Sequence, residues 1–547
     1  MSNELAILLR ELAGAVDWTP AQRRAWASRL RRTQLGSVDE GLWILAEVEG
    51  WLAGARCGAS GDDDGGISER PTWAAEQPTA AADDPVLAAA LEGVYRALAG
   101  AARQRAAGVA IGLPPAALAS VRNLYTALGT TNRNRHWLLA ALATCTDRAA
   151  WELFAKLAAS DPPADAHAAA LAFTPLFQRP RLEADALFPT LLGGLAHLST
   201  ATVVLDLANY LKRKGLVAEH PAAPRAAMLI DLLGQTAARL EQAEEHPERI
   251  SSDPQHLSRI VNEGVTLVVV LCDALAFIGD SAACGKLYQA MRLASRRVRV
   301  EAAAALARLG DAAGLDVLAQ MAAEPVVRKR ALAYLGELGQ TERAAPEWRT
   351  PEAQAIADLA AWLAEPTQLG LAPAHLEVID SRVQYWPGYS EPQQCFLIRF
   401  EYRRGSGSWT GIGIAGPLVH ALLVDLVDLP PAEIYATYAG WHAVHEEIEE
   451  ISAGELDNRD GALWQQIAQH LRSQAYESLE LILLGRFFGE EHFVAEARKE
   501  GRGGVVIYEQ GTIHWFPTAP TRRPPGAREV YWRFKGRKLL AALNRSE

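Results

Sequence analysis

The segment Val298-Arg-Val-Glu-Ala-Ala-Ala-Ala-Leu-Ala-Arg-Leu-Gly310 decides how the middle of this chain folds. The same pattern, V-R-x-x-A-x-x-x-L-x-x-L-G, returns twenty-nine residues later as Val327-Arg-Lys-Arg-Ala-Leu-Ala-Tyr-Leu-Gly-Glu-Leu-Gly339. Apolar positions three and four apart predict a helix with one buried face, and the final glycine predicts a left-handed cap. The residues expected to shape the repeat are Arg299, Leu306, Gly310, Arg328, Leu335 and Gly339.

The repeat indicates stacked helices, because each short helical unit can bury its apolar face only against a neighbour. A weaker third copy, Leu275-x-x-Ile278-Gly279, lies thirty-one residues before Gly310. The pattern resembles the short HEAT-like repeats of bilin lyases and bacterial scaffold proteins, most specifically over residues 267–340. This resemblance implies an α-solenoid, with the arginine of each repeat laddered against an acidic neighbour.

Composition restricts the class of protein. A chain of 547 residues with 49% hydrophobic residues predicts two to four folded domains. The formal net charge of -11 disfavours attachment of the whole molecule to nucleic acid or anionic membrane. The five cysteines are scattered without a C-x-x-C motif, so neither a disulfide framework nor a zinc finger is expected. The apolar run at residues 265–278 is expected to be a buried helix rather than a membrane span, and the protein to be cytoplasmic.

The pattern along the chain predicts a mainly α, multidomain protein in which a HEAT-like α-solenoid precedes a C-terminal α+β domain. We expect a helical segment at residues 1–56, a flexible linker at 57–84, the solenoid at 85–366 and the α+β domain at 367–547. In that last domain we predict strands over residues 376–385, 395–402, 409–414, 504–508, 512–516 and 529–534, and helices over 417–427, 431–450, 461–474, 491–500 and 538–544.

One cluster of ionisable residues in the C-terminal domain suggests chemistry. His442, His445 and Glu446 lie close together on a predicted helix, and His420 on the preceding segment could complete a zinc or iron site. The spacing is neither H-E-x-x-H nor H-x-x-E-H. Because His445 shares a helical stripe with aromatic and apolar residues, the alternative is a histidine packed at the core edge.

A glycine-rich segment and a basic tail suggest two other kinds of site. Residues 411–416 match G-x-G-x-x-G, but no acidic second strand follows, so an alternating strand packed on a helix is the favoured interpretation. Residues 521–547 combine eight basic residues with Tyr531, Trp532 and Phe534, a composition suited to single-stranded nucleic acid or to an ordinary amphipathic element. The aromatic segments at 385–389 and 485–489 could bind a ligand or close the ends of a sheet.

The leading hypothesis is an interaction or scaffold protein that binds a protein partner through the solenoid surface. The sequence favours a non-enzymatic protein without a cofactor and leaves the oligomeric state open. The first alternative is a metal-dependent, hydrolase-like enzyme using His442, His445 and Glu446, with His420, His442 and His445 as metal ligands. The second alternative, binding of nucleic acid through the basic tail, is disfavoured by the acidic remainder of the chain.

Overall fold

The computed structural model describes residues 3–13, 18–57, 84–104, 111–130, 132–179, 182–404 and 407–545. The chain divides into two compact units, Met1–Gly314 and Leu315–Glu547. The first is helical and the second combines helices with two antiparallel sheets, which confirms the predicted fold class. The linker predicted over 57–84 lies almost wholly outside the described residues, and the predicted domain boundary at 366 stays a prediction.

The described part of the first unit consists mainly of α-helices, joined by turns and short 3₁₀-helices. They are α1 (Asn3–Ala13), α2 (Pro20–Arg32), α3 (Val38–Cys57), α4 (Pro85–Gln104), α5 (Pro115–Leu128), α6 (His136–Thr144), α7 (Arg148–Ser160), α8 (Ala166–Phe177), α9 (Ala184–Leu191), α10 (Leu198–Arg213), α11 (Ala226–Glu245), α12 (Pro247–Ile250), α13 (Pro254–Ile278), α14 (Cys284–Met291) and α15 (Arg296–Arg308), with α16 (Ala312–Met321) crossing the division.

Alternate helices of the first unit form rows. Helices α4, α6, α8, α10, α13 and α15 pack side by side in that order, while α5, α7 and α9 form a second row and α11 packs on α14. A single buried core joins them, extending from Leu5 to Leu306. Helix α13 is long and apolar enough to span a bilayer by length and composition alone, but its residues 267–272 are buried in this core, as expected of a core helix.

The glycine at the end of each repeat adopts the predicted left-handed conformation. Gly279, Gly310 and Gly339 have φ angles of 80°, 87° and 66°, and each follows the end of a helix. The N–H of Asp311 donates to the carbonyl of Leu306, and the N–H of Gln340 donates to that of Leu335, so equivalent bonds close two repeats. Leu306 and Leu335 are fully buried, which confirms them as core positions.

The second repeat arginine does not pair with an acidic neighbour, so that expectation is wrong for Arg328. Its guanidinium is buried and donates to the carbonyls of Ala322 and Ala353, both at 2.7 Å. It also lies over the ring of Trp348, 4.8 Å from the centroid. Ala322 and Ala323 follow the end of α16, where backbone carbonyls carry partial negative charge, and together with the Ala353 carbonyl they replace a carboxylate as acceptors.

The second unit contains helices α17 (Pro325–Glu337), α18 (Pro351–Ala364), α19 (Pro431–His442), α20 (Asn458–Ser473) and α21 (Ala527–Leu543). Its strands are β1 (His375–Gln384), β2 (Gln393–Arg404), β3 (Gly407–Ala415), β4 (His420–Ala421), β5 (Ile448–Ser452), β6 (Glu477–Phe487), β7 (Glu490–Lys499), β8 (Arg502–Glu509) and β9 (Thr512–Pro517). The first sheet has the order β1-β2-β3-β4 and the second β5-β6-β7-β8-β9, with neighbours antiparallel in both.

Each sheet is covered by a helix on both faces. Helix α18 packs on one face of the first sheet and α19 on the other. Helix α20 packs on one face of the second sheet and α21 on the other. We call α18, β1, β2, β3 and α19 the first half of this unit, and α20, β6, β7, β8 and α21 the second half, because the elements follow in the same order.

The two halves also share a sequence pattern on their inner helices, which our sequence analysis missed. Glu433-Ile-Tyr-Ala-Thr-Tyr-Ala-Gly440 on α19 and Glu529-Val-Tyr-Trp-Arg-Phe-Lys-Gly536 on α21 both read E-h-Y-x-x-[Y/F]-x-G, where h is aliphatic. The two helices pack directly on each other through the glycines. A Cβ atom on Gly440 would lie 1.9 Å from the Trp532 carbonyl oxygen, and one on Gly536 would lie 1.8 Å from that of Ala436. Such reciprocal contacts are typical of two equivalent surfaces meeting across a two-fold axis.

Three predictions of secondary structure in the second unit are wrong, and a fourth, the helix over 431–450, is right only over its first part. Residues 491–500, predicted as a helix, form strand β7 between β6 and β8, and residues 529–534, predicted as a strand, lie within helix α21. Residues 417–427 contain only the two-residue strand β4 instead of a helix. Helix α19 ends at His442, and β5 occupies part of the remainder predicted as helical. The strands predicted over 376–385, 395–402, 409–414, 504–508 and 512–516 and the helix over 461–474 are confirmed, with small changes of boundary.

Candidate functional site

The histidines predicted as metal ligands lie near one another in the chain but face different partners. The ring of His420 stacks on Trp441, with centroids 3.9 Å apart. His442 Nδ1 accepts a hydrogen bond of 3.2 Å from the buried indole of Trp386. His445 lies beyond the end of α19, where its Nδ1 accepts from the N–H of Glu447.

These side chains do not converge on a common point. In the part of the chain that the structure describes, the ligand atoms of His420, His442 and His445 do not all lie within 4.8 Å of one another. Burial lowers the pKa of His420 to about 4, so its ring is neutral, and burial also lowers the pKa of His442. Glu446 is exposed to solvent. The arrangement is that of two packed histidines and an exposed carboxylate.

The basic tail forms helix α21 and uses several of its charges within the fold. Lys535 pairs with Glu450 at 2.8 Å, and Arg537 pairs with Glu433. Tyr531 and Phe534, expected as stacking aromatics, are buried against the second sheet. The segment 411–416 forms the end of β3 and the turn after it, and no helix begins at Pro417, so the strand interpretation is confirmed.

A different group of side chains forms a polar cluster between the second sheet and α21. His492 Nε2 lies 3.0 Å from Glu509 Oε1 and 3.7 Å from Glu490 Oε2. Lys538 Nζ donates to Glu490 Oε2 at 2.7 Å and to Glu509. His514 Nε2 lies 3.3 Å from the second oxygen of Glu509. We call Glu490, His492, Glu509 and Lys538 the charged cluster.

Antiparallel pairing brings the charged cluster together. His492 near the start of β7 is directly opposite Glu509 at the end of β8, and Glu490 opens β7 after the tight turn from β6. Lys538 reaches the sheet from the fourth turn of α21. The His492 side chain is 1% exposed, whereas those of Lys538 and Glu490 are 32% and 41% exposed. The cluster is therefore buried at the histidine and open to solvent at the lysine and Glu490.

The electrostatics of the charged cluster follow from burial and pairing. Burial alone raises the pKa of Glu509, but hydrogen bonds from Lys538 and His492 outweigh it and bring that pKa to about 2. Burial lowers the pKa of His492 despite its two carboxylate neighbours, so the ring is neutral at pH 7. Burial lowers the pKa of Lys538, but bonds to Glu490 and Glu509 outweigh it and hold that pKa above its usual value. The cluster thus carries two negative charges and one positive charge.

The first half of the unit places uncharged residues where the second half places His492 and Glu509. Residues 395–400 of β2 and 492–497 of β7 share one burial pattern, in which only the fifth residue, Arg399 or Glu496, is exposed. This pattern and the strand register match Cys395 with His492 and Gly416 with Glu509. Aligning the helices by their shared pattern also matches His442 with Lys538. Cys395 is completely buried, so the same fold is stable with an uncharged side chain in the place of His492.

The signal that could have revealed this site is the pattern shared by α19 and α21, ninety-six residues apart. It marks the two halves as related, and comparing their strands sets Cys395 against His492 and Gly416 against Glu509. Neither a scan against protein-family models nor a search of the curated proteins finds a match to the chain.

Proposed function

We propose that the chain is a HEAT-like interaction protein whose helical unit binds a protein partner. The observation that supports this function is the ordered row of helices α4, α6, α8, α10, α13 and α15 over one continuous core. Stacked helices of this kind create long continuous surfaces, which repeat proteins use to hold other proteins. The left-handed glycine caps at Gly279, Gly310 and Gly339 agree with the HEAT-like repeat.

One groove of the helical unit suits a partner's apolar side chains. It has a volume of about 300 Å³ and lies between α11 and α13, beside the start of α10. Its apolar residues are Leu198, Leu232, Ile260 and Leu267, and its polar residues are Gln235, Thr236, Arg239 and Glu263. Leu198 is 57% exposed. A groove that combines apolar and polar side chains suits a protein partner, because protein interfaces join an apolar centre to a polar rim.

A photo-crosslinking experiment tests this function. A photoreactive amino acid replaces Gln235 at the groove, or Glu241 on another face of α11, in cells that naturally make the protein. We expect the photoreactive residue in place of Gln235 to crosslink one recurrent protein that the residue in place of Glu241 does not. Leu198→Asp should abolish the capture, because a carboxylate cannot enter an apolar contact without losing its hydration.

The control is Leu371→Asp, which changes a similarly exposed leucine, 64% accessible, in the second unit. It should leave the capture unchanged. The function is refuted at this groove if Gln235 and Glu241 yield the same proteins, or if Leu198→Asp has no effect while the protein stays folded.

A further inference from the structure

The charged cluster has the donor atoms of a metal site. We propose that Glu490, His492 and Glu509 bind a divalent transition-metal ion of the zinc class, and that Lys538 is the internal cation that the ion displaces. One imidazole nitrogen and two carboxylates are a common ligand set for zinc and its neighbours. The ligand atoms of these three residues all lie within 4.8 Å of one another.

The distances between the ligand atoms fit a single ion. Zinc binds nitrogen and oxygen at roughly 2.0–2.2 Å, so adjacent ligands around it lie about 3–3.5 Å apart. His492 Nε2 is 3.0 Å from Glu509 Oε1 and 3.7 Å from Glu490 Oε2. Rotation of the Glu490 side chain, which is 41% exposed, closes the longer distance. His514, 3.3 Å from the other oxygen of Glu509, holds that carboxylate in orientation as outer-shell residues do.

Lys538 occupies the position of a cation between the two carboxylates. Its ammonium group contacts Glu490 and Glu509 together. The lysine side chain is 32% exposed, so it can turn into solvent and leave the carboxylates to an entering ion. With Lys538 in place the cluster has a net charge of −1, from two carboxylates and one ammonium. A divalent ion in place of the lysine neutralises both carboxylates.

The imidazole of His492 can supply its Nε2 lone pair without losing a hydrogen bond at the other nitrogen. Its Nδ1 atom is buried and has no hydrogen-bond partner among the described residues. While Nε2–H donates to Glu509, the lone pair on Nδ1 is unpaired. When Nε2 binds an ion, the proton moves to Nδ1 and one ring nitrogen is again unpaired. The number of unsatisfied buried groups is therefore the same in both states.

The first half of the unit supplies an independent reason to assign a ligand to this place. Cys395 and Gly416 fill the positions that match His492 and Glu509, so folding does not require charged groups there. Buried charges cost desolvation energy that uncharged residues avoid. A second copy of the same row that carries His492 and Glu509 therefore points to a function in binding.

Titration with a metal alone tests the site. The untagged full chain is treated with chelator and titrated with Co²⁺, followed by calorimetry and by the visible absorption of protein-bound cobalt. We expect one ion per chain, with binding lost in Glu509→Gln and at least tenfold weaker in Glu490→Gln. Lys538→Met should bind at least tenfold more tightly than the native chain, because no ammonium then competes.

The matched control is Lys499→Met, a lysine at the far end of β7 that contacts Tyr476 instead of the cluster. It should bind cobalt as the native chain does. Glu490 is largely exposed, so Glu490→Gln keeps the test valid if Glu509→Gln fails to fold. The proposal is overturned if the native chain binds no cobalt, if binding survives in both glutamate variants, or if Lys538→Met gains no affinity.

Discussion

The two halves of the second unit arrange a helix, three strands and a helix in the same order, yet one row of side chains differs completely. In the first half, the buried Cys395 lies under α19 in an apolar core, at the position that matches His492. In the second half, His492 and Glu509 meet under α21, and Lys538 reaches them from the helix. The fold depends on what the halves share, above all the glycine contact between their inner helices. The charged cluster lies where the side chains of the two halves differ.

The largest effect is expected at the shared glycine contact. Gly440→Ala puts a methyl group 1.9 Å from the carbonyl oxygen of Trp532, so the two helices must separate. We expect the free energy of unfolding to fall by about 3 kcal/mol or more, at the upper end of what overpacking costs. Hydrogen exchange of the α19 and α21 amides measures this fall. Gly536→Ala should act alike, because its methyl would lie 1.8 Å from the Ala436 carbonyl oxygen.

The control is Gly461→Ala on α20, where the added methyl group meets no atom within 4 Å. Alanine favours a helix over glycine by up to about 1 kcal/mol, so this variant should be as stable as the native chain or more so. If the α19 and α21 amides exchange at equal rates in Gly440→Ala and Gly461→Ala, the stability of the two halves does not depend on the glycine contact.

The sequence predicted those features of the fold that depend on local chemistry. The caps at Gly310 and Gly339 follow from the left-handed conformation that glycine adopts, and most strands from alternation of apolar residues. Residues 491–500 are rich in helix-forming Glu, Ala, Arg and Lys, but pairing with β6 and β8 overrides that propensity. Residues 529–534 are aromatic and look like a strand, but the aromatic rings pack from a helix onto a sheet.

The candidate site could not be predicted for a related reason. His492 and Glu509 are seventeen residues apart, and only the register of β7 against β8 places them opposite each other. That register is a tertiary property that no short motif encodes. His442, His445 and Glu446 were attractive because they are adjacent in sequence, but the helix ends at His442 and sends the following residues elsewhere.

The second prediction asks whether the charged cluster is needed for folding. Glu509→Ile leaves Lys538 and His492 without their shared carboxylate. We expect the free energy of unfolding to fall by about 2 kcal/mol. This is less than for a fully buried pair, because Lys538 is partly exposed. Combining Glu509→Ile with His492→Leu and Lys538→Met replaces these charges and the imidazole with apolar side chains. The triple variant should return to within about 1 kcal/mol of the native chain.

Urea unfolding in the presence of chelator, followed by exchange of the β7 and β8 amides, compares these variants. A triple variant as unstable as Glu509→Ile would mean that the second half requires the charges for its own stability. The contrast with Cys395 and Gly416 in the first half would then carry no functional meaning.

The third prediction concerns acid sensitivity of the first half. Burial lowers the pKa of His420 to about 4 from an unfolded value of 6.5, so the folded state holds it neutral. The contribution of the neutral His420 ring to the free energy of unfolding is complete above pH 6.5. It is lost as the pH falls toward 4, because the unfolded chain then binds the proton more readily than the folded chain does. His420→Phe keeps a ring against Trp441 and should reduce the fall in urea midpoint between pH 7 and pH 5. The exposed His375→Phe serves as the control, and an equal change in both variants would contradict the assignment to His420.

The smallest effect is expected where the halves differ in their strand connections. Strands β1 and β2 are joined by a loop that carries the buried Trp386, whereas β6 and β7 are joined by Phe488 and Gly489 alone, with φ angles of 46° and 80°. A left-handed phenylalanine is strained by roughly 1–2 kcal/mol, and asparagine tolerates that conformation better. Phe488 also contacts the rings of His445 and Phe487, so Phe488→Asn loses part of this gain. We expect a net stabilisation of about 0.5 kcal/mol by urea unfolding, whereas Gly489→Ala should destabilise the same turn. A clear loss in Phe488→Asn would show instead that its ring contacts outweigh the strain.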